Sequence, residues 1–408
     1  MGTAVNAVLI FFYWLLVAAV VYPYIGYPVI LWLLVKVRGA YQPWRIARGE
    51  LPTVSLIISA YNESAVLDAK LHNARALDYP AAHLQILVIS DASNDGTDDI
   101  VLRHAGEDPR VQLDRQPERR GKTAGLNRGI ELTTGSVVVF SDANAMYEAG
   151  AIRELVAPLA DPGVGYVVGA AHYSNGHDGQ AQHSEGLYWR YELALKQMES
   201  ALGSVVGGDG AIYAIRRALF WPMREDDIND FVNPLQIIGA GYRGVFTPRA
   251  RCFEEGADSF AKEFKRKRRI VNRSWRATLR YGEGVWRARN PAFLFQFVSH
   301  KLIRWFALPL LILLALVNLA LVCNGVIVPY GLLLLGLCGS LGLALRGHWL
   351  ARQSRQQPRL IYLCYYFYLV NLAALLGIYD ETRGIRHTKW EHVRSAATTP
   401  AESNELRP

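Results

Sequence analysis

The chain has 408 residues, 51% of them hydrophobic and 20% charged, with a formal net charge of +8. The positive excess is local, crowded between Lys262 and Arg280 against the single acid Glu263, so it does not mark a nucleic-acid-binding protein. Cys252, Cys323, Cys338 and Cys364 are scattered, which excludes a disulfide framework or a paired-cysteine metal site.

The first element is an apolar run from Val5 to Val35. It is too long for a secretory signal and has no Lys or Arg in its first residues, so it reads as a membrane anchor kinked near Pro23 or Pro28. Lys36, Arg38, Arg45 and Arg48 follow it, and the positive-inside rule then puts the N-terminus outside and the next domain in the cytosol. From Pro52 the β-branched runs Val54–Ala60, Leu84–Ser90 and Val137–Phe140, with the weaker Val111–Asp114, alternate with helical patterns over Asn62–Ala76, Asp98–His104 and Thr123–Leu132. Such alternation predicts an α/β, Rossmann-like domain with a largely parallel sheet covered on both faces, and ligands beyond the carboxyl ends of its strands.

Beyond that domain, Phe260, Phe264, Val271, Trp275 and Leu279 form a stripe at helical period, with the basic cluster on the other face. That is the pattern of an in-plane interfacial helix, although a helix packed on the soluble domain would look similar, and the basic face alone reads as either a solvated face or a patch for anionic lipid. Leu302–Val322, Val326–Leu345 and Leu360–Tyr379 are long enough to cross a bilayer. The expected layout is an anchor at 1–40, a soluble domain at 50–258, basic amphipathic helices at 259–290, three spans within 300–380 and a polar tail at 381–408, disordered after Arg394. No repeat is present.

Polar residues gather at three strand ends: Tyr61, Asn62 and Glu63 after the first, Asp91 after the second, and Asp142 and Asn144 after the last strong one. Any one of them reads equally well as a turn former; three on one rim suggest a site. The Gly121–Thr123 string G-K-T is not a phosphate-binding P-loop, because Gln116 stands where that motif needs glycine.

These strings resemble the membrane-integrated family 2 glycosyltransferases of GT-A fold, the group that includes cellulose, hyaluronan, poly-N-acetylglucosamine and chitooligosaccharide synthases. The likeness runs by motif from about Pro52 to Arg280. It implies that Tyr61, Asn62, Glu63 and Asp91 meet the nucleoside of the donor, and that Lys122 and Asn127 in G-K-T-A-G-L-N lie by its phosphates. S-D-A-N at Ser141–Asn144 stands at the family's DxD, which makes Asp142 a donor-side carboxylate and Asp142 with Asn144 the ligands of Mg2+ or Mn2+. Asp209 and Gly210 in V-V-G-G-D-G fall in the acceptor region, Asp209 also reading as a turn residue. Asp230 in I-N-D takes the place of the catalytic base, with Asp226 and Asp227 as nearby competitors. Arg269 stands where the synthases carry the Arg of QxxRW, which implies a donor-binding residue that pairs with the diphosphate, and Ile270 stands where they carry its Trp. Asn144, Asn229 and Ile270 are departures, and the missing Trp leaves processive synthesis unsupported.

The resemblance implies an inverting, metal-dependent transferase at the cytoplasmic (inner) membrane. It would move a hexose or N-acetylhexosamine from a UDP-sugar to a membrane lipid or growing glycan, in exopolysaccharide or cell-envelope glycan synthesis, with export or assembly subunits as candidate partners. The alternatives are a single addition to a sphingolipid or polyprenyl-linked sugar and, in another class, a nucleotide-sensing channel or transporter. One conflict stands within the sequence itself. Three spans after a cytosolic domain put the tail outside, yet Arg346, Arg352, Arg355, Arg359, Arg383, Arg386, Lys389 and Arg394 favour the inside, so either the last segment is re-entrant or the tail is external.

Overall fold

The computed structural model describes residues 2–40, 51–174, 181–255 and 259–386. Arg45, Arg48, Lys389, Arg394 and the tail after it lie outside those residues. The soluble domain is built on an eight-stranded sheet of order β3-β2-β1-β4-β7-β6-β8-β5. Its strands are β1 (Val54–Ala60), β2 (Leu84–Ser90), β3 (Val111–Arg115), β4 (Val137–Asp142), β5 (Met146–Tyr147), β6 (Val164–Ser174), β7 (Tyr213–Arg216) and β8 (Arg243–Glu255).

β1, β2, β3 and β4 pair in parallel, and every residue of β1 and β2 is buried, as near-continuous apolar runs require. The other half departs from the largely parallel sheet expected. β7 is antiparallel to both β4 and β6, and β5 is antiparallel to β8. The turn Gly207–Gly210 lies at the carboxyl rim, where Gly207 has φ +84°, and from it β7 enters the sheet in the reverse direction. The first helix begins at Ser64 rather than Asn62, because Asn62 has φ +52°, outside the right-handed helical region.

The N-terminal helix runs Gly2–Val21, widens into a π-type turn at Tyr22–Gly26 around Pro23, and continues as Tyr27–Arg38. Pro28 sits in the first turn of that continuation. The run read as starting at Leu302 is broken: Pro291–Trp305 is bent by 62° from Ala307–Cys323. Arg304, at the start of that run, donates to Glu192 at 2.6 Å and to the Tyr191 hydroxyl at 3.0 Å, so the wholly apolar stretch begins after it. Tyr330–Arg352 and Arg359–Thr382 complete the set. Among the described residues three helices are long and apolar enough to cross a membrane, four if the bent pair counts as one.

The basic stripe turns inward. Phe260–Arg287 is one helix, and its Val271, Arg273 and Arg276 are buried. Arg280 pairs with Asp226 and Asp227, Arg268 with Asp380, and Arg266 with Glu263, so much of the charge is answered within the chain. Leu279, placed on the apolar stripe by its spacing, is 65% exposed.

Candidate active site

The site lies on the carboxyl rim of β1, β2 and β4, and glycine keeps its centre open. A Cβ built on Gly210 would stand 3.4 Å from Asp230 Oδ2, 3.6 Å from Lys122 Nζ and 3.8 Å from Asp142 Oδ2. Three residues from distant parts of the sequence therefore converge on one point. Lys122, first residue of the helix Lys122–Leu132, pairs with Asp142 at the end of β4.

Asp230 lies in the first turn of the helix Asn229–Gly239, and its Oδ1 is buried with no hydrogen-bond partner among the described residues. Burial pushes its pKa up and the neighbouring Asp209 and Asp142 push it further, while Lys122 and Arg273 oppose them. A carboxyl so placed is primed to take a proton rather than to serve as a structural ion pair. Its backbone is fixed as well, since Gly208 N donates to the Asp230 carbonyl at 2.5 Å. We expect Gly210→Ala to keep the fold and to slow transfer by about tenfold or more by crowding the point where the reacting atoms must meet, as steady-state rates beside a thermal melt will show.

The other predicted residues fall into two sets. Asp91 is buried and accepts from Gln116 Nε2 at 2.8 Å, Arg120 N at 2.9 Å and Gly121 N at 3.0 Å, so it fixes the loop that delivers Lys122. Asn62 is tied to the β2 rim, donating from N to Ser93 Oγ at 3.1 Å and accepting from Asn94 N at 2.9 Å. Glu63 N donates to Thr97 Oγ1 at 2.9 Å, and the Tyr61 ring lies 3.8 Å beneath the Arg119 guanidinium. Asn127 uses both ends of its amide on the Met223 backbone, at 2.6 and 3.0 Å, and so joins its helix to the segment that leads to Asp230. Asp209 Oδ2 accepts from Lys196 at 3.1 Å. Of the competitors for the base, Asp226 and Asp227 are committed to Arg280, and Asp227 also accepts from the Tyr281 hydroxyl at 2.6 Å. Burial first and the nearby Arg269 next push the Arg273 pKa down to about 10, whereas Arg266 is the arginine whose charge reaches Glu254.

Several site residues escaped the sequence. Glu254, at the end of β8, has its carboxyl pushed up to about 8 by burial and by the facing Asp142 and Asp209. Lys70 is fully buried and donates to the Ala145 carbonyl just past S-D-A-N, while Asn73 clamps the Tyr147 backbone in both directions at 2.8 Å. The signal was present: Lys70 sits at helical spacing among Leu67, Leu71 and Ala74. Arg273 donates to the carbonyls of Asp226 at 3.2 Å and Glu225 at 3.3 Å, to that of Asp227, and to Thr123 Oγ1 at 3.2 Å. One guanidinium thus joins the Lys122 helix to the segment before Asp230. Arg273→Ala strands buried carbonyls, with an expected loss of about 2–4 kcal/mol of stability, read as a lowered denaturation midpoint.

A divalent cation fits this donor set. Asp142 offers hard oxygens, with the amide of Asn144 two residues on in the same string, the carboxyls of Glu254 and Asp209 act on one another and on Asp142 through their charge, and Gly210 leaves room. A second grouping, Asp68, His72 and His104, brings its ligand atoms within 4.8 Å of one another. Its atoms already have partners within the chain. Arg75 Nη1 lies 3.0 Å from His104 Nδ1 and can only donate, so Nε2 carries the hydrogen toward Asp68 Oδ1 at 3.1 Å, and Arg103 occupies the same carboxylate at 2.6 Å.

Residues 55–223 match the model of the glycosyl transferase family 2. The chain is 26% identical over 160 residues to beta-monoglucosyldiacylglycerol synthase of Trichormus variabilis, covering 39% of this chain and 34% of that protein. It is 25% identical over 211 residues to poly-beta-1,6-N-acetyl-D-glucosamine synthase of Staphylococcus aureus, covering 50% of each. The chain thus spans from about a third to a half of the length of these curated relatives. Among solved structures, the mannosyltransferase PcManGT from Pyrobaculum calidifontis in complex with GDP-Man and Mn2+ superposes with a TM-score of 0.67 at 25% identity, covering 91% of this chain and 99% of that one.

Proposed function

We propose, from the premise that the chain is a family 2 glycosyltransferase of GT-A fold, that it inverts the anomeric carbon of a nucleoside-diphosphate sugar while moving a hexose or N-acetylhexosamine to a membrane-associated acceptor. The convergence of Asp230, Lys122 and Asp142 on the open point at Gly210 carries this reading. The acceptor hydroxyl would approach from the Gly207–Gly210 side. Its oxygen bonds to the anomeric carbon as the bond to the diphosphate breaks, its proton passes to the Asp230 carboxylate, and the nucleoside diphosphate leaves beside Lys122. Mg2+ or Mn2+, held by Asp142 and Asn144 with Glu254 in reach, would neutralise charge that builds on the leaving diphosphate. Asp91 would set the nucleoside side of the site through the loop it fixes, with Tyr61, Asn62 and Glu63 on the same rim.

UDP is the first donor to test, from the synthase-like motifs, and GDP the second, since the Pyrobaculum enzyme is described with GDP-Man and Mn2+. A glycan product and a single addition to a lipid are both in range of the relatives' names. The single addition is favoured by Ile270, which has no aromatic face for stacking a chain. The sensing-channel alternative falls with the family assignment. Purified protein incubated with labelled UDP- and GDP-sugars, Mn2+ and membrane lipid tests the reading: it expects nucleoside diphosphate release coupled to a labelled product. Binding without turnover across the panel would refute it.

A further inference from the structure

We propose that the last apolar helix, Arg359–Thr382, does not cross the membrane but lies in its surface against the catalytic domain, and that the chain beyond it returns to the catalytic side. By length and composition alone this helix would be a span. Its neighbours argue otherwise.

The helix runs parallel to Phe260–Arg287 and touches it near both ends. At the start, the Phe260 ring packs on Tyr362 and Tyr365 at 5.7 and 4.9 Å, and the Tyr366 hydroxyl donates to Glu263 at 3.4 Å. At the end, Arg268 forms a two-pronged pair with Asp380 at 2.6 Å, Asn272 donates to the Gly377 carbonyl at 3.1 Å, and Arg276 binds Glu381 at 2.7 Å. Phe260–Arg287 carries Lys262, Lys265, Arg266, Lys267, Arg268 and Arg269 and anchors the loop before Asp230, so it cannot enter hydrocarbon. A helix parallel to it and bonded to it at both ends cannot cross either.

The N-terminal helix meets the same element. Gly2–Val21, 20 residues long, has about the 30 Å needed to span the hydrocarbon. Immediately after it, Tyr24 meets the middle of the last helix, donating to Asn371 at 3.3 Å and packing on Phe367 at 5.8 Å between ring centroids. Ala374 and Ile378 are buried with Phe231, the neighbour of Asp230, and with Val271 and Trp305. Leu360, Leu363, Leu372 and Tyr379 stay exposed, an apolar edge suited to the headgroup and acyl boundary.

With Gly2–Val21, Ala307–Cys323 and Tyr330–Arg352 as the crossings, the loop after Arg352 falls on the catalytic side, as does Arg386, which pairs with Asp226 at 3.4 Å. Arg346, Arg352, Arg355, Arg359, Arg383 and Arg386 then all obey the positive-inside rule, and the conflict within the sequence disappears. The tail would share a compartment with the active site.

Arg355→Cys and Arg383→Cys, each placed alone in full-length protein lacking all four native cysteines, and a third variant keeping only Cys323, test this with a membrane-impermeant maleimide on intact cells and inverted vesicles. The proposal expects both introduced cysteines to label only in inverted vesicles and Cys323 only in intact cells. Labelling of Arg383→Cys from the Cys323 side would overturn it. A fluorescent-protein fusion after Pro408 gives a second reading that needs no cysteine: fluorescence supports return to the cytosol, and a dark but expressed fusion with an active enzyme domain opposes it.

Discussion

Asp230→Asn will slow glycosyl transfer by about 10²–10⁴-fold, the range for loss of a positioned general base, while nucleotide binding stays near that of the parent protein. The substitution keeps the shape of a half-buried side chain and removes only the ability to accept a proton. Its effect on stability has a definite sign. The folded pKa of Asp230 is raised, by burial first and by Asp209 and Asp142 next, so folding favours the neutral acid. Any stability from this group is present below its unfolded pKa and is lost as pH rises through the folded value. Above its folded pKa the ionised carboxylate is a burden, so Asp230→Asn will melt no lower than the parent there, and the two curves will close up in acid. The parent's rate will fall on the acid side at a higher pH than an ordinary carboxylate would impose. Equal turnover in parent and variant would return the base to an open question, since Asp226 and Asp227 are held by Arg280.

Asp142→Asn will cost about 10²–10³-fold in rate, the several kcal/mol that metal-assisted neutralisation of a leaving diphosphate supplies. Because Asn144 already stands in the same string, this change leaves S-D-A-N without a carboxylate. Lys122 loses its partner at the same time. The Asp142 side chain is partly exposed, so the fold will survive. Titration of Mn2+ followed by the electron paramagnetic resonance of the unbound ion will show weakened binding in the presence of UDP or GDP. Undiminished binding would move the cation elsewhere, with Glu254 the first residue to examine.

Much of the rim was legible because parallel strands announce themselves as unbroken apolar runs and the chemistry follows at their ends. Asp91 and Asp142 stood out by that logic and Lys122 and Asp230 only by the motif resemblance, while Asp91 and Asn127 make their visible bonds to the chain itself. Arg273 was hidden inside a run of like residues: spacing marks a helix face, but not which guanidinium on it reaches Thr123 and the Asp227 carbonyl. The antiparallel half of the sheet was not legible, since β7 is four residues long and its direction depends on where the Gly207–Gly210 turn lies in space. Composition also cannot distinguish an apolar helix that crosses a bilayer from one that lies along a basic neighbour. Asp380 and Glu381, at the end of Arg359–Thr382, were the only local clue.

The anomeric configuration of the product tests the central claim most directly. Proton NMR of the glycoside formed from an α-linked nucleoside-diphosphate sugar should show a β linkage, as a single displacement assisted by Asp230 requires. An α linkage would contradict it.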